Sequence, residues 1–324
     1  HPDLSPDDEF ADFETYPYYI QRTWTEYQPE TGDYVRTALM KGLEIEKEKG
    51  VNPFMFGVIG STDSHTAMAS AEENNFHGKL ATDSIPENKE RMFNEEGKPS
   101  SHGWAMSASG LAAVWARENT REAILDAFQE RAVYATSGPR IRVEFFGGAA
   151  FTDQDTTRAD RYTYATQTGV AMGGEIGSDD QATFLVIAAK DPVGANLDRI
   201  QIIKGWVDSA GKSHEKVFDV AWSGQQSGER VPGADGKLPA VGNTVNLANG
   251  NVENSIGEPQ LSAVWTDPEF DPAQNAFYYA RVLQIPTARH SLLDAIALGR
   301  EHAGKHPDTI QERAYTSAIW YRGN

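Results

Sequence analysis

The sequence contains no cysteine. Disulfides, thiolate metal sites and cysteine nucleophiles are therefore excluded. The compartment stays open, since a periplasmic or secreted location suits such a chain as well as the cytoplasm. Positive charge is scarce: 29 Lys and Arg stand against 47 Asp and Glu, a net charge of -18. That balance argues against nucleic acid or an anionic membrane as the main partner, because both reward clustered cations. It does not exclude an anionic substrate, since a bound cation can invert the local field. No run approaches the roughly 18 apolar residues of a membrane span. Also missing are H-x-H, H-E-x-x-H, a G-x-S-x-G elbow and a phosphate-binding loop. His77, His102, His214, His290, His302 and His306 are scattered and read as surface or loop residues.

What is present is a globular composition, 39 % hydrophobic and 10 % aromatic over 324 residues, enough for two domains. An acidic, aromatic-rich segment covers 1–32 and reads as irregular. Val35, Leu39 and Leu43 then recur every four residues, which predicts one helical stripe ending near Gly50. "NPFMFGVIG" follows, a short apolar run of the kind that suits a strand covered on both faces. Helix then buried strand is an α/β rhythm. Residues 76–110 are polar and read as a long surface excursion. Asn119 or Thr120 can cap a helix bearing Ala123, Ile124, Ala127 and Phe128. Ser137-Gly138-Pro139 is a turn, and "RIRVEFF" alternates like a strand. Beyond it, "ATFLVIAAK", "DRIQIIKGWV", "EKVFDVAWS", "QLSAVW" and "AFYYARVLQI" are short strands, and only 291–302 looks helical. The expected layout is an α/β unit over 1–139, with helices and parallel strands, and a β-sandwich-like domain over 140–324.

The chemistry concentrates in "VIGSTDSHTA", residues 58–67. Residues two apart in an extended segment project to one side, so Asp63 and His65 can face one point beyond the strand's carboxyl end, where α/β folds bind ligands. A hard carboxylate beside an imidazole suits Zn, Mn or Fe. The competing interpretation is a helix cap: Ser61, Thr62 or Asp63 could open a helix over 67–73, leaving His65 in its first turn.

"GSTDSH" resembles the last metal-binding motif, glycine-serine-aspartate-x-histidine, of the PHP (polymerase and histidinol phosphatase) superfamily, with Thr62 as an extra residue. "REAILDAFQERAVYATSGPRIRV" looks like that superfamily's final helix and exit turn. More closely, the chain resembles a bacterial family known as domain of unknown function 3604. The shared runs are "GLEIEKEKGVNPFMFGVIGSTDSH", "GLAAVWARENTREAI", "LDRIQIIKGW", "FDPAQNAFYYARVLQIP" and "QERAYTSAIWY", spread over nearly the whole chain. The resemblance implies the carboxy-terminal part of a distorted (β/α)7 PHP-type barrel followed by a β-sandwich-like domain. It implies a cluster of two or three divalent metals, with Asp63 and His65 as the last ligand pair. The barrel's opening H-x-H strand has no counterpart here. The expected partner is therefore an amino-terminal half of the same gene product that supplies most of the ligands.

The expected activity is hydrolysis of a small-molecule phosphate or related ester through a metal-activated water. Asp63 and His65 would hold metal, and Asp63 would steer the nucleophile. Arg140 and Lys79 are the candidates for the substrate anion. The alternative is a non-catalytic β-sandwich binding module on an incomplete barrel.

Overall fold

The computed structural model describes residues 1–19, 22–90, 103–108, 110–177, 181–302 and 306–323. Ten strands make the framework. In chain order they are β1 (Leu111–Val114), β2 (Val133–Thr136), β3 (Arg142–Gly148), β4 (Thr183–Ala189) and β5 (Leu197–Val207). They continue as β6 (Ser213–Trp222), β7 (Gln260–Thr266), β8 (Ala276–Gln284), β9 (Arg313–Thr316) and β10 (Ile319–Tyr321). One sheet runs β6-β5-β8-β9-β2-β1, with β10 beside β8, and a second runs β7-β4-β3 and ends on Val170–Ala171. All these pairings are antiparallel; the one parallel pairing joins β10 to Glu175–Ile176.

The two sheets pack on each other because their strands alternate. Ile200, Ile202, Tyr278, Ala280 and Val282 of the large sheet meet Phe145, Phe184 and Val186 of the small one in a single buried cluster. From Arg199 on in β5 and along β8, the odd-numbered residues face the other way; Leu197, at a register shift, stays in the inner cluster. That outer face is apolar at one end (Ile203, Val207, Phe277) and cationic at the other (Arg199, Arg281). Each end has its own cover. Helix α1 (Val35–Lys49) lays Leu39 and Leu43 on the apolar end. An acidic strap, residues 5–14, covers the cationic end. Asp8 takes both terminal nitrogens of Arg281 (2.7 and 2.9 Å) and Arg36 Nη2 (2.7 Å), and Glu9 takes Arg199 Nη1 (2.7 Å). Phe13 lies 3.8 Å from the Arg313 guanidinium, and Glu14 chelates Arg289.

The (β/α)7 barrel is not formed. Among the described residues four sheets, antiparallel but for one short pairing, and few helices take its place, and none of these sheets closes. Within the first 139 residues, β1 and β2 are antiparallel and extend the large sheet, and Tyr18–Tyr19 pairs with Arg22–Glu26 in a small antiparallel sheet of their own. The decisive departure is the apolar run at 54–59, which is extended but joins no ladder. Its glycines explain the path. A Cβ on Gly57 would sit 2.8 Å from Val133 Cγ2, and one on Gly60 would sit 2.7 Å from the carbonyls of Leu111 and Thr136. The segment thus crosses closely over β1 and β2, at positions where a side chain would prevent the contact. Accordingly α1 packs its buried leucines on β5 and β8, and the run touches the helix from the side, Met55 joining the same cluster and Phe54 lying close to Gly42. The excursion is also more than surface: Phe76, Lys79, Asp83, Lys89, Trp104 and Met106 are buried. Residues 91–102, among them His102, lie outside the described residues.

Candidate functional site

Residues 61–67 form a tip beyond that crossing. No strand ends there and no helix starts over 67–72; only a 3₁₀ turn at Glu73–Asn75 follows. Asp63 and His65 therefore stand on an irregular loop, which corrects the expected strand end and equally removes the capping alternative. Gly110 N donates to Ser61 O (3.0 Å) at the base of the tip, and Ser64 and Thr66 share a hydroxyl contact of 2.8 Å within it. The backbone is bent hard: Asp63 has φ +50° and Ala67 φ +59°. Aspartate tolerates the left-handed region, but for alanine it costs on the order of 1 kcal/mol.

The tip's polar groups are presented outward. The Asp63 side chain is 64 % exposed, and His65 is exposed as well. His65 Nδ1 faces the Asp63 carbonyl oxygen at 3.0 Å, and His65 N donates to Lys79 O (2.8 Å). Lys79 is the buried floor, 4 % exposed. Its ammonium donates to Thr62 O (3.1 Å) and lies 3.7 Å from Asp63 Oδ2. Burial, offset in part by the Asp63 charge, lowers the pKa of Lys79. Of the four residues singled out in the sequence, the fold thus unites Asp63, His65 and Lys79. Arg140 is set elsewhere: its side chain pairs with Glu72 (3.1 Å), its backbone N–H bonds Asp191 (2.7 Å), and nothing links it to the other three.

A metal fits the pair as one corner of a site. A ligating imidazole commonly gives its second nitrogen to a carbonyl, which fixes the ring and its tautomer. With Nδ1–H donating to Asp63 O, Nε2 is the nitrogen left to ligate, next to an accessible carboxylate. Among the described residues no group of three or more His, Cys, Asp or Glu could hold an ion. Asp63 and His65 alone would leave the shell of such an ion incomplete.

Behind the tip lies a buried acidic network that the sequence reading missed. An inner cavity of about 210 Å³ is lined by Gly60, Ser61, Glu14, Glu73, Ser107 and Ser137. Tyr16 connects it to the tip. Its hydroxyl reaches Ser107 Oγ (3.5 Å), and its pKa is raised by burial and further by the charges of Glu14 and Asp63. Glu73 Oε2 accepts from His290 N (2.6 Å), and Ser137 Oγ donates to Glu312 Oε2. Burial pushes Glu73 up to about 7, against the His290 N–H and Arg289. Burial and then the Glu73 charge push Glu312 well above the carboxylate range. His290, buried and close to Arg289 and Lys89, is held well below its usual value and so is neutral. The available signal was "SAEENNF" beside the motif and a lone glutamate in "QERAYT", just before β9.

A family model described as "Protein of unknown function (DUF3604)" matches residues 1–323. The chain belongs to that family. Neither the curated proteins nor the solved structures give a match. No helix among the described residues is long and apolar enough to cross a membrane.

Proposed function

We propose that this DUF3604 chain supplies one corner, Asp63 and His65, of a divalent-metal site in a hydrolase of phosphate or related esters, PHP-like in its metal motif. The observation that carries it is the tip's geometry: an imidazole oriented through Nδ1 by a backbone carbonyl, beside an exposed carboxylate, on a strained loop that caps nothing. Zn, Mn or Fe, alone or as a cluster of two or three, would supply a hydroxide near neutral pH and polarise the ester. The chain's own part is to hold that charge, and Lys79, buried under the tip and donating to Thr62 O, would have to come out of that contact to meet the substrate's anionic oxygens. Arg140 can serve only after leaving Glu72.

The remaining ligands would come from a second segment, an amino-terminal half of the same gene product. Residues 53–60 support this reading. Among the described residues they make no backbone-to-backbone hydrogen bond, and Ile59 is 58 % exposed. Side chains take some of the run's peptide groups, with Phe54 N donating to Asn52 Oδ1, Val58 N to Ser317 Oγ and Arg131 Nη1 to Met55 O, and the rest can meet a further strand. A non-catalytic sandwich module gains support from the absence of the barrel. Elemental analysis of native material, followed by a panel of phosphomonoester, phosphodiester and sulfate ester, separates the two. Stoichiometric metal and turnover of one ester class are expected; metal-free, inactive native material would reject the hydrolase.

A further inference from the structure

Between the strap, helix α1 and the outer face of the large sheet lies a cavity of about 330 Å³. At the roughly 30 Å³ that a water takes up in the liquid, it has room for about ten non-hydrogen atoms. Most of its wall is apolar. Phe10 and Phe13 come from the strap, Leu39 from α1, and Val58 and Ile59 from the crossing run. Ile59 and Val35, both part of the lining, are exposed and form an open rim. On the sheet side stand two phenols, Tyr279 of β8 and Tyr315 of β9, with ring centroids 6.4 Å apart.

The two hydroxyls are half used. Tyr279, 7 % exposed, accepts from Arg36 Nε (2.7 Å), and Tyr315 accepts from Arg313 Nη1 (3.3 Å). Among the described residues neither hydroxyl donates to an acceptor, so each has a proton to give, and the cation behind it strengthens that donor. The charges around them are unevenly matched. Asp8 bonds both Arg36 and Arg281, and Glu215 bonds Arg36 as well. Arg313 is different. It is 2 % exposed, its bonds go to Phe10 O, Gln311 O and the Tyr315 hydroxyl, and Phe13 covers its face. Among the described residues it has no carboxylate partner, and its neighbour Glu312 is turned to Ser137. A buried cation without a counter-charge is costly. Burial raises the pKa of Tyr315, but the charges of Arg313, Arg281 and Arg36 outweigh it and bring the pKa down, so the potential at that hydroxyl is positive.

We propose that this cavity binds a small monocarboxylate with an apolar body, its carboxylate accepting from the Tyr279 and Tyr315 hydroxyls and its body lying against Phe10, Phe13, Leu39 and Ile59. The head supplies, through Tyr315, the negative charge that Arg313 lacks. The body covers apolar wall that is now open at the rim. Two converging donors on one side of an otherwise apolar space are what fixes the orientation of such a ligand. The site is separate from the Asp63–His65 tip and stands or falls independently of the hydrolase reading.

Octanoate matches the cavity in size and is the probe, with 1-octanol as the body without the charge and acetate as the charge without the body. Calorimetric titration of the native protein should show saturable octanoate binding, at least about tenfold tighter than either control. Nuclear Overhauser contacts should run from the octanoate chain to the methyl groups of Leu39 and Ile59, which locates the ligand without any substitution. Tyr315→Phe and Tyr279→Phe should each weaken octanoate at least about fivefold and leave 1-octanol nearly unchanged. Ala135→Leu, which fills the floor of the cavity, should weaken both. No saturable octanoate binding, Overhauser contacts to other methyl groups, or 1-octanol bound as tightly as octanoate would overturn the proposal. Unchanged octanoate affinity in both phenylalanine variants would overturn it too. Should a variant fail to fold, the titration and the contacts on the native protein still decide the matter.

Discussion

The strap and the tip are both acidic and polar, yet they are built in opposite ways. In the strap, Asp8, Glu9 and Glu14 each meet an arginine at 2.7–2.8 Å, and the cations Arg199, Arg281 and Arg289 are buried. In the tip, Asp63 is largely exposed, its cation stands off at 3.7 Å, and two backbone residues sit in the left-handed region. Matched, desolvated charges hold elements together, because removing one partner strands the other in a dry site. Accessible polar groups on a strained loop contribute little to stability and stay available to a ligand. Charge alone therefore does not mark function here; the degree to which it is already satisfied does.

The strap should be the more sensitive of the two to mutation. Asp8→Ala leaves Arg281 buried without its carboxylate and should cost about 3–5 kcal/mol, read as a fall in the urea midpoint. A loss below about 1 kcal/mol would mean that the strap is not a structural clamp. The same contacts set an acid limit. Burial alone would raise the Asp8 pKa, but the bonds and charges of Arg281 and Arg36 win and hold it well below the carboxylate range. A depressed folded pKa contributes stability that is present above the unfolded value near 4 and lost as pH falls below it. The native protein should thus weaken below about pH 4, and Asp8→Ala should weaken less steeply.

Leu43→Ala removes the helix α1 anchor from the apolar end of the same sheet face and should cost about 2–4 kcal/mol in the same assay. Glu73 has the opposite sign to Asp8. Its raised folded pKa favours the folded state below the unfolded value, and that benefit is lost as pH rises from about 4.5 to about 7. Glu73→Gln should flatten this fall by about 1–3 kcal/mol. An unchanged pH profile of stability would show that Glu73 titrates normally.

Much of the local structure was legible. The strands at 183–189, 197–207, 213–222, 260–266 and 276–284 follow from alternation and β-branched content, and Thr120 does cap its helix, accepting from Ala123 N (3.3 Å). The architecture was not legible, because the periodicity of Leu39 and Leu43 specifies a buried face without naming what buries it. Their partners, Ile203 and Phe277, lie far along the chain. The run at 54–59 has the composition of a core strand, but pairing is a tertiary property, and its glycines serve a crossing instead. Arg199 and Arg281, on the outer faces of β5 and β8, complement Glu9 and Asp8, a signal that charge patterning could have offered. Asp63 and His65 drew attention through a six-residue motif, and the fold sets them together on one loop. Glu73 and Glu312, 239 positions apart, become neighbours only through the fold.

The smallest expected effect on stability is at the tip: Asp63→Ala and His65→Ala should each change it by less than about 0.5 kcal/mol. That makes metal binding the direct test of the central claim. Calorimetric titration of metal-stripped native material with Zn²⁺ and with Mn²⁺ should detect a site whose affinity falls at least about tenfold, roughly 1.4 kcal/mol, in each of the two variants, with urea midpoints unchanged. Undiminished metal affinity in both variants would contradict the assignment of Asp63 and His65 as a metal corner.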